Sequence, residues 1–278
     1  MSNLRRSIKD IVDRFRDSVL SLSLKKAARE QNLSELVAKI ESAVPDITNQ
    51  YSCFKIEKPL TRVKVRCQHS FQISMVNRVI EEYETPVIVD IGDSSGVHLQ
   101  YLKALHAEKK IKSVSVNMDA EAIDKIKAKG LEAVHARAED VEDYNINPDI
   151  FMCFQTMEHL MDPCKFLYNL SSQTKVDYIV ITVPYRRSSR VGLYHIRNNS
   201  DNEVCSENTH IFELSPEDWK LLAMHSGWDV YDESIYLQYP RKSVLRLTKS
   251  YWKKSDFEGF YGLILKRNSA RSSQYLDW

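Results

Sequence analysis

The chain has 278 residues, with 39 lysines and arginines against 38 aspartates and glutamates, so its formal net charge is +1. A composition of 43% hydrophobic and 28% charged residues excludes a disordered chain, and the balanced charge gives no reason to expect a nucleic-acid partner. No apolar run approaches the roughly 18 residues of a membrane helix, and no apolar segment follows the basic residues near Met1. We therefore predict neither a membrane span nor a secretory signal.

The N-terminal region predicts helices. One helix face over the first 22 residues is apolar, and its members are Leu4, Ile8, Ile11, Val12, Phe15, Val19 and Leu22. Such a face usually packs on a core or a partner. We predict a helical N-terminal extension over residues 1–66 that packs as a lid on a larger domain over 67–278, or that forms a homodimer contact. A further helix is expected at about 68–83.

From residue 86 the pattern changes to alternating strands and helices. The predicted strands cover residues 87–89, 114–118, 133–134, 150–154, 178–183, 228–236 and 260–266. This alternation predicts an α/β fold with a doubly wound, mostly parallel seven-stranded sheet and helices on both faces. The loop-rich stretch between the last two strands predicts that the last strand is antiparallel.

The first strand runs into a glycine turn. Asp90 ends the strand, and Gly92 and Gly96 follow four residues apart in a chain with only seven glycines. A glycine turn between a strand and a helix lets a ligand approach the backbone and the helix N–H groups. The spacing D-x-G-x-x-x-G is not the G-x-G-x-x-G of dinucleotide-binding proteins.

This turn resembles the signature of the class I S-adenosylmethionine-dependent methyltransferases, an acid followed by three alternate glycines. Ser94 stands at the middle glycine. The resemblance covers about residues 86–267, and it implies S-adenosylmethionine as the cofactor and S-adenosylhomocysteine as its product. It also implies that Asp90, Gly92, Ser94 and Gly96 form the cofactor loop.

Three later segments extend the resemblance. Aligned with the family, the second strand places Asn117 at the acidic position that holds the ribose and Met118 beside the adenine, with Asp119 as the alternative register. The family's next adenine contact corresponds to Ala138 and Glu139, where Arg137 replaces the usual aspartate. Gln155 ends the fourth strand, where a doubly wound sheet binds its ligand.

The segment from Glu158 to Pro163, Glu-His-Leu-Met-Asp-Pro, resembles the corresponding segment of family members that modify small molecules, lipids or sugars. A hydroxyl acceptor must lose a proton, and His159 is the first candidate for the base, followed by His210 and Tyr185. The alternative is that the Glu-His pair only fixes the loop.

The acceptor is expected to contact an insertion around residues 185–210. Its arginines, from Arg186 to Arg197, favour a phosphate or carboxylate group, so an anionic small molecule such as a nucleotide-linked sugar is one hypothesis. A solvated loop is the other.

Together, these features predict a cytoplasmic S-adenosylmethionine-dependent methyltransferase that O-methylates a sugar or another polar small molecule. One alternative is an RNA or protein methyltransferase that uses the basic stretch from Arg241 to Lys254. A second alternative is a non-catalytic interaction module, because Ser94, Asn117 and Arg137 depart from the family pattern.

The cysteines predict neither a disulfide framework nor a metal site, because they are scattered and none forms a C-x-x-C pair. They are Cys53, Cys67, Cys153, Cys164 and Cys205. We expect reduced thiols, as in cytoplasmic proteins, and no bound metal.

Overall fold

A seven-stranded sheet lies at the centre of the computed structural model, which describes residues 2–52, 54–140, 146–192 and 209–275. The strands within these residues are β1 (Val87–Ile91), β2 (Lys112–Asn117), β3 (Glu132–His135), β4 (Ile150–Phe154), β5 (Tyr178–Pro184), β6 (Arg190–Val191), β7 (Phe212–Glu213), β8 (Trp228–Leu237) and β9 (Gly259–Arg267). Strands β6 and β7 form a separate hairpin, which the sequence did not predict.

The strand order confirms the predicted doubly wound sheet. It runs β3-β2-β1-β4-β5-β9-β8, and the pairs among β1 to β5 are parallel. The last strand, β9, is antiparallel to β5 and to the edge strand β8. The order reverses between β1 and β4, and the carboxyl ends of these strands are where such sheets form a ligand crevice.

Helices cover both faces of the sheet, as predicted. They are α1 (Ser2–Glu30), α2 (Ser34–Ala43), α3 (Pro59–Val76), α4 (Val97–Leu105), α5 (Ala120–Ala128), α6 (Pro163–Gln173), α7 (Pro216–His225), α8 (Lys249–Lys254) and α9 (Ser269–Ser272), with short 3-10 turns at Ile80–Glu82, Met157–His159 and Val244–Thr248. The starts of α5, α6 and α7 are set by N-cap side chains, since Asp119, Asp162 and Ser215 each accept a backbone N–H of the first turn.

The two faces of the sheet have separate cores, because successive strand residues point to opposite sides. Ile88 packs in the cluster that contains Leu24 of α1 and Phe71 of α3. Its neighbour Val89 packs in the cluster that contains Phe166 of α6. The N-terminal helices therefore form one of the layers that cover the sheet.

Helix α3 crosses the predicted domain boundary at residues 66 and 67. The helix expected at 68–83 begins earlier, because Pro59 suits a first helical turn, and it ends at Val76. The buried Arg66 donates to the carbonyls of Ile40, Val44 and Pro45 near the end of α2. The division at residue 66 stays a prediction, but the extension and the sheet share one core.

The apolar face of α1 is covered only in part by the rest of this chain, and the homodimer contact that the sequence also allowed stays a prediction. Four of its residues are exposed: Ile11 (65%), Val12 (58%), Phe15 (71%) and Leu22 (59%). A helix of 29 residues is about 43 Å long. From residue 9 onward, the side chains that it buries are Leu20, Ser23, Leu24, Ala27 and Ala28. The exposed residues form what we call the α1 stripe.

Other described features agree with the composition. Cys67, Cys153 and Cys164 are free thiols, while Cys53 and Cys205 lie outside the described residues. Over the described ranges, no helix has the length and apolar character needed to cross a membrane.

Candidate active site

Gly92 has the conformation and the surroundings that only glycine tolerates. Its φ is +82°, and a Cβ at this position would lie 2.2 Å from Oγ1 of Thr156, which follows β4. The Gly92 N–H donates to the Val116 carbonyl at 2.8 Å, which continues the β1–β2 pairing into the turn. The turn is therefore packed directly against the end of β4.

The side chain of Asp93, which the sequence reading overlooked, organises the turn. One carboxylate oxygen accepts the N–H groups of Ser95 (3.1 Å) and Gly96 (2.8 Å), and the other accepts the Ser115 hydroxyl (2.8 Å). Two N–H groups at the start of α4 are thus already bonded. The D-S-S-G pattern, an aspartate that bonds the backbone two residues on, was the available signal.

Asp90 is buried and contacts His98 of α4. Its carboxylate lies 3.1 Å from Nδ1 of His98. Burial, together with the nearby Asp93, raises the pKa of Asp90 to about 7 despite the histidine. Gly96 is buried as well, whereas Gly92 and Ser94 are partly exposed. Of the predicted loop residues, Gly92 and Ser94 are therefore the ones that a ligand can reach.

Asn117 bonds the turn in this structure. Its Nδ2 donates to the Asp93 carbonyl (2.9 Å), and its Oδ1 accepts the N–H of Asp119 (2.8 Å). Met118, at the end of β2, is 51% exposed and open to a ligand. The ribose and adenine contacts remain predictions, and Asp119 serves as the N-cap of α5.

The predicted adenine segment is accessible. Ala138 and Glu139 are partly exposed. Ala138 packs against the core on the α6 side of the sheet, and the Glu139 carboxylate lies 3.3 Å from the guanidinium of Arg137. Their role toward an adenine stays a prediction.

Part of the N-terminal extension covers the glycine turn. The buried Gln50 accepts the Ser95 hydroxyl at 2.7 Å, and Lys129 donates to the Ser95 carbonyl at 2.5 Å. No local pattern could reveal the Gln50 contact, because the partners are 45 positions apart in the sequence.

Gln155 lies at the end of β4 in a left-handed backbone conformation, with φ +52°. Its N–H donates to the Thr182 carbonyl (2.7 Å), and its Nε2 lies 3.3 Å from the Thr182 hydroxyl, which also accepts Nε2 of Gln72 (3.2 Å). A non-glycine residue with positive φ is uncommon and is typical of functional sites. This supports the predicted position of Gln155 in the crevice.

The structure brings two of the predicted catalytic residues together. The rings of His159 and His210 are perpendicular, with centroids 4.9 Å apart. The two segments are joined by the Ile211 N–H, which donates to the Glu158 carbonyl (2.6 Å), and by Nδ1 of His159, which lies 2.9 Å from the Thr209 carbonyl.

Two carboxylates flank this histidine pair. Glu158 is 1% exposed, and burial raises its pKa to about 7. Oε1 of Glu213 lies 3.0 Å from Nδ1 of His210, and its other oxygen pairs with Arg190. Although burial alone would raise the pKa of Glu213, the bonds from His210 and Arg190 lower it to about 2.

Tyr185, the third catalytic candidate, and the arginines of the basic loop that follows it make contacts outside the histidine pair. The Tyr185 N–H donates to the Gly259 carbonyl, and its ring lies under Arg187. Arg186 pairs with Asp256 at 2.6 Å, and Arg187 pairs with Glu258 at 3.3 Å. Arg197 lies outside the described residues. The described arginines invoked for an anionic acceptor are thus already paired with carboxylates.

No protein-family model and no curated protein sequence matches this chain. Several solved structures are similar to it. The 1,6-didemethyltoxoflavin-N1-methyltransferase of Burkholderia thailandensis, bound to S-adenosylhomocysteine, has a TM-score of 0.51 at 10% identity, over 72% of this chain and 78% of that chain. An O-methyltransferase from a trans-AT polyketide synthase of Brevibacillus brevis, also bound to S-adenosylhomocysteine, has a TM-score of 0.52 at 12% identity, over 84% and 82%.

A third similar structure is the [4+2]-cyclase SpnF, with a TM-score of 0.54 at 9% identity, over 88% of this chain and 97% of that chain. Identities this low show the fold and not the reaction. The chain therefore has the Rossmann-like fold of the S-adenosylmethionine-dependent methyltransferases.

Proposed function

We propose that the protein is an S-adenosylmethionine-dependent methyltransferase that O-methylates a polar small molecule. The observation that carries this proposal is the contact between the glycine turn and the end of β4, where Gly92 lies against Thr156 and next to the left-handed Gln155. This contact lies at the carboxyl ends of β1 and β4, where the strand order reverses and where sheets of this kind bind their ligands.

In this proposal the cofactor lies across the carboxyl ends of β1, β2 and β4. Gly92 and Ser94 contact it through their backbone, Met118 and Glu139 lie at its adenine, and Gln155 faces its methionine part. The sulfonium already activates the methyl group, so the protein mainly positions the acceptor, which can supply on the order of 7–11 kcal/mol of the barrier.

In this proposal the histidine pair supplies the base for an acceptor hydroxyl. His210 is the better oriented base, because Glu213 holds its Nδ1 and a carboxylate partner stabilises the protonated ring. Burial lowers the pKa of His210, but its bonds and charges with Glu213 and Glu158 outweigh burial and raise it. A base contributes about 10²–10⁴-fold to turnover.

A small-molecule acceptor is favoured over RNA or protein. The two methyltransferases described above are an N-methyltransferase bound to 1,6-didemethyltoxoflavin and an O-methyltransferase of a polyketide synthase. Because the described loop arginines are paired, we favour a neutral polar acceptor such as a sugar over an anionic one. The free cysteines support the cytoplasm as the location.

The test is calorimetric titration with S-adenosylmethionine. We expect the wild-type protein to bind it and Gly92→Ala to lose binding, because the new Cβ would clash with Thr156. Gly130→Ala is the matched control: Gly130 also has a positive φ, +72°, but nothing lies within 4 Å of its added Cβ. Wild-type protein that shows no binding at millimolar cofactor would refute the proposal and favour the interaction module.

A further inference from the structure

Glu158 is a buried carboxylate without a hydrogen-bond donor. It is 1% exposed, and over the described residues no donor bonds Oε1 or Oε2. Burying an ionised carboxylate is costly unless it is paired with a cation or coordinates a metal. A positively charged partner would therefore stabilise this carboxylate.

The two histidines converge on this carboxylate. One ligand atom from each of Glu158, His159 and His210 lies within 4.8 Å of the other two. Atoms that are each 2.1 Å from one ion can lie at most roughly 4.2 Å apart, so small side-chain rotations would bring all three to an ion. Two imidazoles and one carboxylate are a common ligand set for divalent transition metals.

The second nitrogen of each histidine is held as in metal sites. Metal-binding histidines usually donate the other ring N–H to a carbonyl or a carboxylate. Nδ1 of His159 lies 2.9 Å from the Thr209 carbonyl, and Nδ1 of His210 lies 3.0 Å from Oε1 of Glu213. Both bonds favour the tautomer with the proton on Nδ1, and Nε2 of His159 lies 3.9 Å from Oε1 of Glu158. Arg190 in turn fixes Glu213.

We propose that Glu158, His159 and His210 bind a divalent transition-metal ion such as Zn²⁺, and that Glu213 positions His210. Three protein ligands leave at least one coordination position open. The binding of the metal does not depend on the proposed function. Only the use of the metal to coordinate an acceptor hydroxyl rests on the proposed function. A metal acidifies a bound hydroxyl, which would replace the histidine base.

The test is calorimetric titration of the full chain with ZnCl₂ after treatment with a chelator, followed by Co²⁺ absorption spectra. We expect one equivalent to bind to the wild type. Glu158→Gln, His159→Ala and His210→Ala should each lower the affinity by at least about 100-fold, and Glu213→Gln by about 10–100-fold, the usual loss when a partner of a ligand is removed.

His225→Ala is the control, because His225 is an exposed histidine on α7 that bonds Tyr275, and it should bind Zn²⁺ like the wild type. Circular dichroism checks that each variant is folded. Wild-type protein that binds no Zn²⁺ or Co²⁺ at millimolar concentration would overturn the proposal, as would Glu158→Gln protein that binds as tightly as the wild type. Because S-adenosylmethionine binding is measured separately, either proposal can fail while the other stands.

Discussion

Two clusters of carboxylates and histidines with similar compositions lie near the carboxyl ends of β1 and β4. The first is buried, and the second combines the buried Glu158 with two partly exposed histidines. In the first, Asp90, Asp93 and His98 surround the glycine turn, and backbone N–H groups and a serine hydroxyl bond both oxygens of Asp93. In the second, no donor among the described residues bonds the carboxylate of Glu158. A satisfied carboxylate supports a loop, whereas an unsatisfied one marks a place for a ligand.

The largest expected difference between the clusters is in stability. Asp93→Asn keeps only one acceptor oxygen, so it loses either the hydrogen bonds from Ser95 and Gly96 or the one from Ser115, and the remaining bonds lose their charge. We therefore expect the free energy of unfolding to fall by about 3–5 kcal/mol. Glu158→Gln loses no bond to a described residue and should stay within about 1 kcal/mol of the metal-free wild type. Urea denaturation of the three proteins measures this, and equal losses in both variants would contradict the comparison.

A smaller effect concerns the contribution of Asp90, in the first cluster, to the pH dependence of the stability of the fold. The pKa of Asp90 is raised to about 7 in the folded protein, above the 3.9 or so of an unfolded chain. The folded state therefore holds an extra proton between about pH 4 and 7, and this contribution to stability is lost as the pH rises through that window.

Asp90→Asn removes this dependence. We expect the variant to gain stability relative to the wild type by roughly 3 kcal/mol from pH 4.5 to 7.5. Thermal denaturation at several pH values measures the difference. A constant difference between the two proteins would show that Asp90 titrates normally.

The smallest effect on folding is expected outside both clusters, at the α1 stripe. We propose that the stripe forms the homodimer predicted from the sequence, since exposed apolar residues favour association. Phe15→Asp should change the stability of the fold by less than about 0.5 kcal/mol but produce monomers in light scattering. Arg14→Ala, exposed on a neighbouring face of the same helix, should leave the dimer intact. A monomeric wild type would refute this proposal.

The sheet could be predicted because its signals are local. Apolar runs such as Val87–Ile91 and Tyr178–Pro184 are bounded by turns and helices, so the strand positions and the doubly wound sheet followed from the alternation. Gly92 and Gln155 could be placed in one crevice because parallel strands end at the same edge of a sheet.

The rest depends on contacts between distant positions. The sequence suggested His159 and His210 as separate candidates for a base. Neither their contact nor the lack of a hydrogen bond to the Glu158 carboxylate could be read from spacing. Whether α1 packs on the sheet or on a second copy was left open by the sequence, because periodicity shows that a helix has an apolar face but not what covers it. The contact of Gln50 with Ser95 was missed because nothing near Gln50 in the sequence indicates it.

The most direct test of the central claim, a cofactor crevice at the carboxyl ends of β1, β2 and β4, is a crystal structure of the protein with S-adenosylhomocysteine. We predict density for the ligand against Gly92, Ser94, Met118 and Gln155, with its sulfur on the side of the Glu158–His159–His210 cluster. Density at another place, or an empty crevice at saturating ligand, would contradict the account.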